Sequence, residues 1–172
     1  MKFTITRINK QNKLTVSTKT VDSFLERIAK DDAKQSVARF RMSVPLLEGD
    51  YQYYKGINEW QHVYPAAEFS KDESGNLVFQ QSNGLVMLHF INLVTKQEKD
   101  AVKTAVSLLP MTFAAIEGAD SRSLIVLVSI SNEEGKIPTK EEEADLLYQS
   151  AYEQVKSLYQ SQVQATIKAE KP

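Results

Sequence analysis

The sequence contains no cysteine and only two histidines, His62 and His89, among its 172 residues. The lack of cysteine excludes a disulfide framework, a thiolate nucleophile and a cysteine-based zinc site. The two histidines do not form an H-x-x-x-H pair, so a histidine metal centre is not expected either. A chain without cysteine suits a reducing compartment, and we therefore expect a cytoplasmic location and no bound metal.

Long hydrophobic runs are missing as well. No segment approaches the roughly 18 apolar residues that span a bilayer, and the N-terminal stretch MKFTITRINK alternates polar and apolar side chains, unlike a signal peptide. The phosphate loop G-x-x-x-x-G-K-[ST], the dinucleotide fingerprint G-x-G-x-x-G and the hydrolase elbow G-x-S-x-G are all absent. The sequence thus predicts no membrane partner and no cofactor.

The remaining composition is that of one globular domain, with 42% hydrophobic and 25% charged residues. The net charge of −1 conceals an asymmetry. Residues 1–41 carry ten Lys/Arg against four Asp/Glu, whereas residues 42–172 carry eleven against eighteen. A basic section of this size either lies along a phosphate backbone or is a solvated surface. The sequence leaves both interpretations open.

The first half of the chain predicts a small αβ unit. Lys2–Ile8 alternates as a strand does, Thr20 is placed to cap a helix over Val21–Lys30, and a second helix is predicted over Ala33–Arg41. Residues 45–65 are expected to be irregular. Aromatic side chains in this stretch either stack on bases or close over a core; they are Tyr51, Tyr53, Tyr54, Trp60 and Tyr64.

The second half has a clearer pattern, in which the near-continuous apolar run Leu85–Val94 predicts a central strand covered on both faces. Capping boxes at Thr95–Glu98 and Thr139–Glu142 predict the starts of two helices. The apolar faces of these helices are expected to include Ala101, Leu108 and Leu158. The other predicted strands are Leu77–Gln80, Met111–Ile116, Ser123–Ile130 and Ala165–Lys168.

The resulting β-α-β-β-α order predicts an α+β fold. Its core, residues 81–172, is expected to be RRM-like or ferredoxin-like, with an antiparallel sheet backed by two helices and preceded by an N-terminal αβ unit, residues 1–80. Within the central strand, His89 and Ile91 share a face because side chains alternate along a strand. A nucleotide-transferring enzyme would need two carboxylates there to hold two metal ions.

Several stretches carry a resemblance to a known family. In chain order they are Thr20–Asp31, Val37-Ala-Arg-Phe-Arg41, Val63-Tyr-Pro-Ala-Ala67, Ser82–Asn92, Thr95–Leu109 with Pro110, Met111–Ile116 and Ala119–Val128. Together they resemble the VirE N-terminal domain family, which is grouped with the archaeo-eukaryotic primase-like (primase–polymerase) proteins and often encoded on mobile elements. The resemblance implies a primase palm-like core and a single primase-like domain, residues 1–172, at the N-terminal end of a longer replication protein.

The resemblance also implies that catalysis has been lost. The family's paired metal-binding aspartates fall on His89 and Ile91, and neither side chain replaces a carboxylate as a Mg²⁺ ligand. The family's nucleotide-contacting position falls near Leu124 and Ile125. The implied partners are single-stranded DNA or RNA and a helicase-like ATPase region of the same protein. The candidates for nucleic-acid contacts are Arg39, Arg41, Lys55 and Arg122.

Two alternatives remain open. In the first, the chain is an active nucleotidyltransferase whose metal ligands are Glu117 and Asp120, with His89 nearby. In the second, it is a protein-interaction domain whose contact surface is the aromatic segment 51–64, which includes Trp60.

Overall fold

A computed structural model describes residues 1–8, 13–30, 34–47, 61–163 and 166–168. The chain forms two compact units, Met1–Gln80 and Gln81–Pro172. The helices and strands, in chain order, are β1 (Lys2–Ile8), β2 (Leu14–Thr20), α1 (Val21–Ala29), α2 (Lys34–Leu47), β3 (His62–Tyr64), β4 (Ala67–Lys71), β5 (Leu77–Ser82), β6 (Leu85–Ile91), α3 (Lys96–Ser107), β7 (Thr112–Glu117), β8 (Leu124–Ser129), α4 (Glu141–Gln162) and β9 (Thr166–Lys168).

The first unit is organised around β1, which lies between β2 and β3 in an antiparallel sheet. The alternating residues Phe3 and Ile5 are buried, and the Phe3 ring packs edge-on against Phe24 of α1 with 5.4 Å between ring centroids. The opposite face is also closed, because the buried hydroxyl of Thr4 accepts a hydrogen bond from the Phe69 backbone N–H at 2.7 Å. The strand predicted over Lys2–Ile8 is thus confirmed.

The helices of this unit agree in part with those predicted from the sequence. Thr20 caps α1 as expected, since its side chain accepts a hydrogen bond from the Ser23 backbone N–H. The second helix is longer than the predicted Ala33–Arg41, because α2 continues through Pro45 to Leu47. The expectation of irregular chain from Pro45 was therefore wrong for its first residues. Burial of Phe40 and Val44 on one side of α2 stabilises that extension.

Three further strands depart from the expectations. β2 was not predicted; its side chains are half-buried at best, and seven residues of antiparallel pairing with β1 hold it instead. β3 lies within residues 45–65, which were expected to be irregular, so that expectation is wrong here too. β3 ends at Tyr64, the chain bends at Pro65 and Ala66, and β4 begins at Ala67. β4 pairs with β5 in a separate two-stranded sheet.

The second unit is a four-stranded antiparallel sheet in the order β7-β8-β6-β9, which confirms the α+β fold. Numbered within the unit, this order is 4-1-3-2 read from β9, and with α3 and α4 as the two connections it is the ferredoxin-like arrangement. β6 is central, as its apolar run predicted. Its Leu88 lies opposite Val126 of β8, and Ala115 of β7 lies opposite the same valine.

The two predicted capping boxes have different outcomes. At α3 the box is present: the Glu98 carboxylate accepts from the Thr95 backbone N–H at 2.8 Å, and the Thr95 hydroxyl accepts from the Glu98 N–H at 3.1 Å. The box predicted at Thr139 is wrong, because α4 starts at Glu141 with Lys140 as its N-cap and no side-chain cap hydrogen bond. Acidic residues in the first turn of α4 favour its start through the helix dipole instead.

One hydrophobic core lies between the sheet and the two helices. Its buried members are Val86, Leu88, Phe90, Leu93, Val102, Val106, Leu124, Val126, Val128, Tyr152, Val155, Tyr159 and Val163. Three predicted members of the helix faces are exposed instead: Ala101, Leu108 at 80% and Leu158 at 37%. Leu108 is outside because it lies two residues after the buried Val106, which places it about 160° away around the helix axis.

A short hydrogen-bond chain ties this core together. The Thr112 hydroxyl of β7 lies 2.6 Å from the Val106 carbonyl of α3 and 2.6 Å from the Tyr159 hydroxyl of α4. Because Thr112 donates to the carbonyl, Tyr159 donates to Thr112. Desolvation raises the pKa of the Tyr159 phenol. Within the described ranges, no helix is long and apolar enough to cross a membrane.

Candidate functional site

The strand face that bears His89 and Ile91 is the first candidate site. Along β6, Val86, Leu88 and Phe90 point into the helix-covered core. His89 therefore belongs to the opposite sheet face, where the register places it between Ile125 of β8 and the backbone of Lys168 of β9. The alternation of the two faces is thus as predicted from the sequence.

This second face is apolar and largely withdrawn from solvent. Leu127 of β8, which lies opposite Met87, is only 2% exposed, and Leu85 is 1% exposed. Most of the other described side chains that the register places on this face are half-buried, and only Ser129, opposite Leu85, is exposed; the half-buried ones are Met87, His89, Ile91, Ala114, Ile116 and Ile125. No carboxylate lies among these described positions of the face. Its surroundings are those of a closed apolar surface and not of an acidic cleft.

The acids of the β7–β8 turn are engaged in local contacts. Glu117 forms an ion pair with Lys99 of α3, with 2.8 Å between Oε1 and Nζ. Asp120 Oδ1 accepts hydrogen bonds from the Arg122 backbone N–H at 3.0 Å and from the Ser123 hydroxyl at 2.7 Å. In the part of the chain that the structure describes, no three His, Asp or Glu side chains are grouped as a metal site would require. The arrangement supports a structural role for both acids.

Two residues with left-handed backbones lie at the same end of this sheet. Asn92 follows β6 with φ of 64°, and Ser121 lies in the β7–β8 turn with φ of 59°. The Leu93 backbone N–H donates to the Arg122 carbonyl at 2.8 Å and joins the two bends. Sequence reasoning did not single them out, although asparagine is one of the residues that most often adopt this conformation.

The four basic candidates are not brought into one described site. Arg39 and Arg41 lie on α2 of the first unit and are exposed. Arg122 belongs to the second unit, is half-buried and lies in the joined bends described above. Lys55 lies outside the described residues, as does most of the aromatic segment 51–64, including Trp60. Tyr64, at its end, packs edge-on against Phe69 with 5.6 Å between ring centroids.

The fold and this surface show which class of protein this is: an α+β domain with a ferredoxin-like second unit and an apolar sheet face. The model of the BT4734-like N-terminal domain family matches residues 56–172, which is more than half of the chain. The chain belongs to this family. The expected membership of the VirE N-terminal, primase-like family is therefore wrong, because the family that matches is a different one. No curated protein and no solved structure matches the chain.

Proposed function

We propose that this chain is a non-catalytic nucleic-acid-binding module that holds single-stranded DNA or RNA through its phosphate groups. The observation that carries the proposal is the exposed arginine pair of α2. Arg39 and Arg41 reach solvent on the two flanks of the helix, about 160° apart around its axis, and the buried Phe40 and Val44 anchor the side between them. Arginine makes bidentate hydrogen bonds to phosphate, and a helix anchored in this way holds the pair in place.

The charge distribution supports the same unit as the binding surface. Residues 1–80 carry twelve Lys/Arg and ten Asp/Glu, a net charge of +2, and residues 81–172 carry nine and twelve, a net charge of −3. A polyanion is attracted to the first unit and repelled by the second.

The sheet of the second unit supports binding without base recognition. RRM sheets stack bases mainly on exposed aromatic side chains, whereas the paired β6 and β8 positions here on the sheet face away from the helices carry no phenylalanine, tyrosine or tryptophan but Met87, His89, Ile125 and Leu127. No carboxylate lies on that face among the residues that the structure describes, and this supports the non-catalytic part of the proposal. Such a module fits a cytoplasmic protein, and the family's description as an N-terminal domain fits a module of a longer one.

Titration with a single-stranded oligonucleotide at low and high salt tests the proposal. Each phosphate contact contributes about −0.7 to the slope of log K against log salt for single strands. The double variant Arg39→Gln/Arg41→Gln should therefore flatten the slope by roughly 1.4. The matched control is Lys96→Gln/Lys103→Gln, which removes the same charge from exposed positions of α3. Equal loss of affinity in both variants, or no salt-sensitive binding by the wild type, would refute it.

Tethering of a protein partner is the second candidate function. It is favoured by two exposed apolar side chains around the α3–β7 connection, Leu108 at 80% and Phe113 at 40%. Apolar groups at this exposure are typical of contact surfaces when they lie together. Co-purification with the downstream region of the same longer protein tests this candidate. Binding should be lost in Leu108→Ser/Phe113→Ser, and binding that survives both changes would count against it.

A further inference from the structure

We infer that Met42 is a surface oxidation site, at which peroxide forms methionine sulfoxide without disturbing the fold. The inference rests on the placement of the chain's four methionines and does not depend on the proposed function. Met42 is 79% exposed on α2 and Met1 is 53% exposed at the start of the chain, whereas Met87 and Met111 are half-buried in the second unit.

The helix geometry explains why Met42 is exposed. At 3.6 residues per turn, successive residues are rotated by about 100°, so Met42 lies about 160° from both Phe40 and Val44. These two side chains are each 2% exposed and define the buried side of α2. Met42 therefore occupies the middle of the outward side, next to Ala38 and Arg39, at spacings of four and three residues.

The reaction needs only access to the thioether sulfur. A sulfur lone pair attacks one oxygen of a peroxide, the O–O bond breaks as the S–O bond forms, and the second oxygen leaves with the protons as water or an alcohol. The sulfur loses two electrons and the peroxide gains them. Exposure decides the order of reaction among methionines, because burial denies the peroxide an approach to sulfur.

The consequences for the fold differ between sites. A sulfoxide is polar, and at Met42 its oxygen remains in water, so the contacts of Phe40 and Val44 are unaffected. Met111 packs against the core of the second unit, and Met87 lies opposite the buried Leu127. Oxidation at either of these places a polar group in an apolar environment and destabilises the native state. Met42 is thus a reversible mark, since reductases restore methionine sulfoxide.

Graded hydrogen peroxide treatment of the full chain, followed by peptide mapping of the one-oxygen mass increase, tests the inference. We expect the Met42 peptide to be oxidised several-fold faster than those of Met87 and Met111, with no change in the urea midpoint at that stage. Met42→Leu should abolish this step, and the matched control Met87→Leu should retain it. Earlier oxidation of Met87 or Met111, or a fall in the midpoint while only Met42 is oxidised, would overturn the inference.

Discussion

Removal of the Tyr159 hydroxyl is the most direct test of how α3, α4 and the edge strand β7 are joined. Tyr159 has no exposed surface, and its hydroxyl lies 2.6 Å from that of Thr112. Tyr159→Phe keeps the ring in the core and deletes one hydrogen bond. A bond of this kind between neutral groups contributes about 1 kcal/mol to the free energy of unfolding.

Thr112→Val is expected to cost more, about 2 kcal/mol. It keeps the β-branched shape but leaves the buried Tyr159 hydroxyl without its acceptor, and an unsatisfied buried donor costs about 1–3 kcal/mol. The Val106 carbonyl is less affected, because it also accepts from the Leu109 backbone N–H at 3.1 Å. The double variant should cost only about 1 kcal/mol, less than Thr112→Val alone, because the orphaned hydroxyl is then absent, and the coupling energy is about 2 kcal/mol.

Urea unfolding of the wild type, both single variants and the double variant measures this cycle. The slope of the free energy of unfolding against urea concentration should be equal in all four proteins, so that the changes in midpoint report stability alone. Additive single effects would show that the two hydroxyls do not interact and would refute the reasoning.

Alkaline pH provides an independent measurement on the same group. The folded pKa of Tyr159 is raised above its ordinary value by burial. The neutral phenol therefore stabilises the fold fully below about pH 10, and this contribution is lost as the pH rises through the raised value. The wild type should lose stability over this interval more steeply than Tyr159→Phe. Parallel curves would contradict the assigned environment of the phenol.

Three further predictions concern turns and caps, each measured by urea unfolding. Thr95→Ala should lower the free energy of unfolding by about 1 kcal/mol. Acid should remove part of this stabilisation, because hydrogen bonding to Thr95 lowers the pKa of Glu98. The contribution of the Glu98 carboxylate is therefore present above its ordinary pKa and is lost as the pH falls through the lowered pKa. A free energy of unfolding that stays constant as the pH falls through this interval would contradict this. Lys140→Ser should stabilise α4 by about 0.5–1 kcal/mol, because the N-cap there lacks a side-chain hydrogen bond; no gain would show that the cap is already satisfied. Gly84 and Gly135 both have positive φ. Gly84→Ala should nevertheless lower the free energy of unfolding more than Gly135→Ala, because only a Cβ at Gly84 would meet the Ile130 carbonyl oxygen, at 2.8 Å. Equal losses would refute that contact.

Much of the fold could be predicted because its signals are local. The apolar run of β6 and the Thr95–Glu98 box each specify their element within a few residues. β2 could not be predicted, because an edge strand with few buried side chains is held by backbone pairing with a partner elsewhere in the chain. The Thr139 box failed because α4 starts one residue later, with Lys140 as its N-cap, so that Thr139 lies outside the helix.

The candidate site was predictable only to the level of strand faces. Side-chain alternation along β6 predicts that His89 and Ile91 lie on the opposite sheet face from Val86 and Leu88, and the observed pairing with β8 agrees with this prediction. The burial of the second face depends on Leu127, which no local pattern around His89 encodes. Charge patterns likewise indicated Arg39 and Arg122 equally, although these residues belong to different compact units.

His89 has a consequence for folding accuracy. β6 is aliphatic on both sides apart from Phe90 and this histidine, so hydrophobicity alone barely distinguishes its register from one shifted by a single residue. Such a slip would turn the imidazole into the helix-side cluster, where an unpaired polar group costs about 1–3 kcal/mol. A cost of this size disfavours the misregistered chain roughly 5- to 150-fold. The single polar side chain of the strand thus acts as a register mark for the sheet.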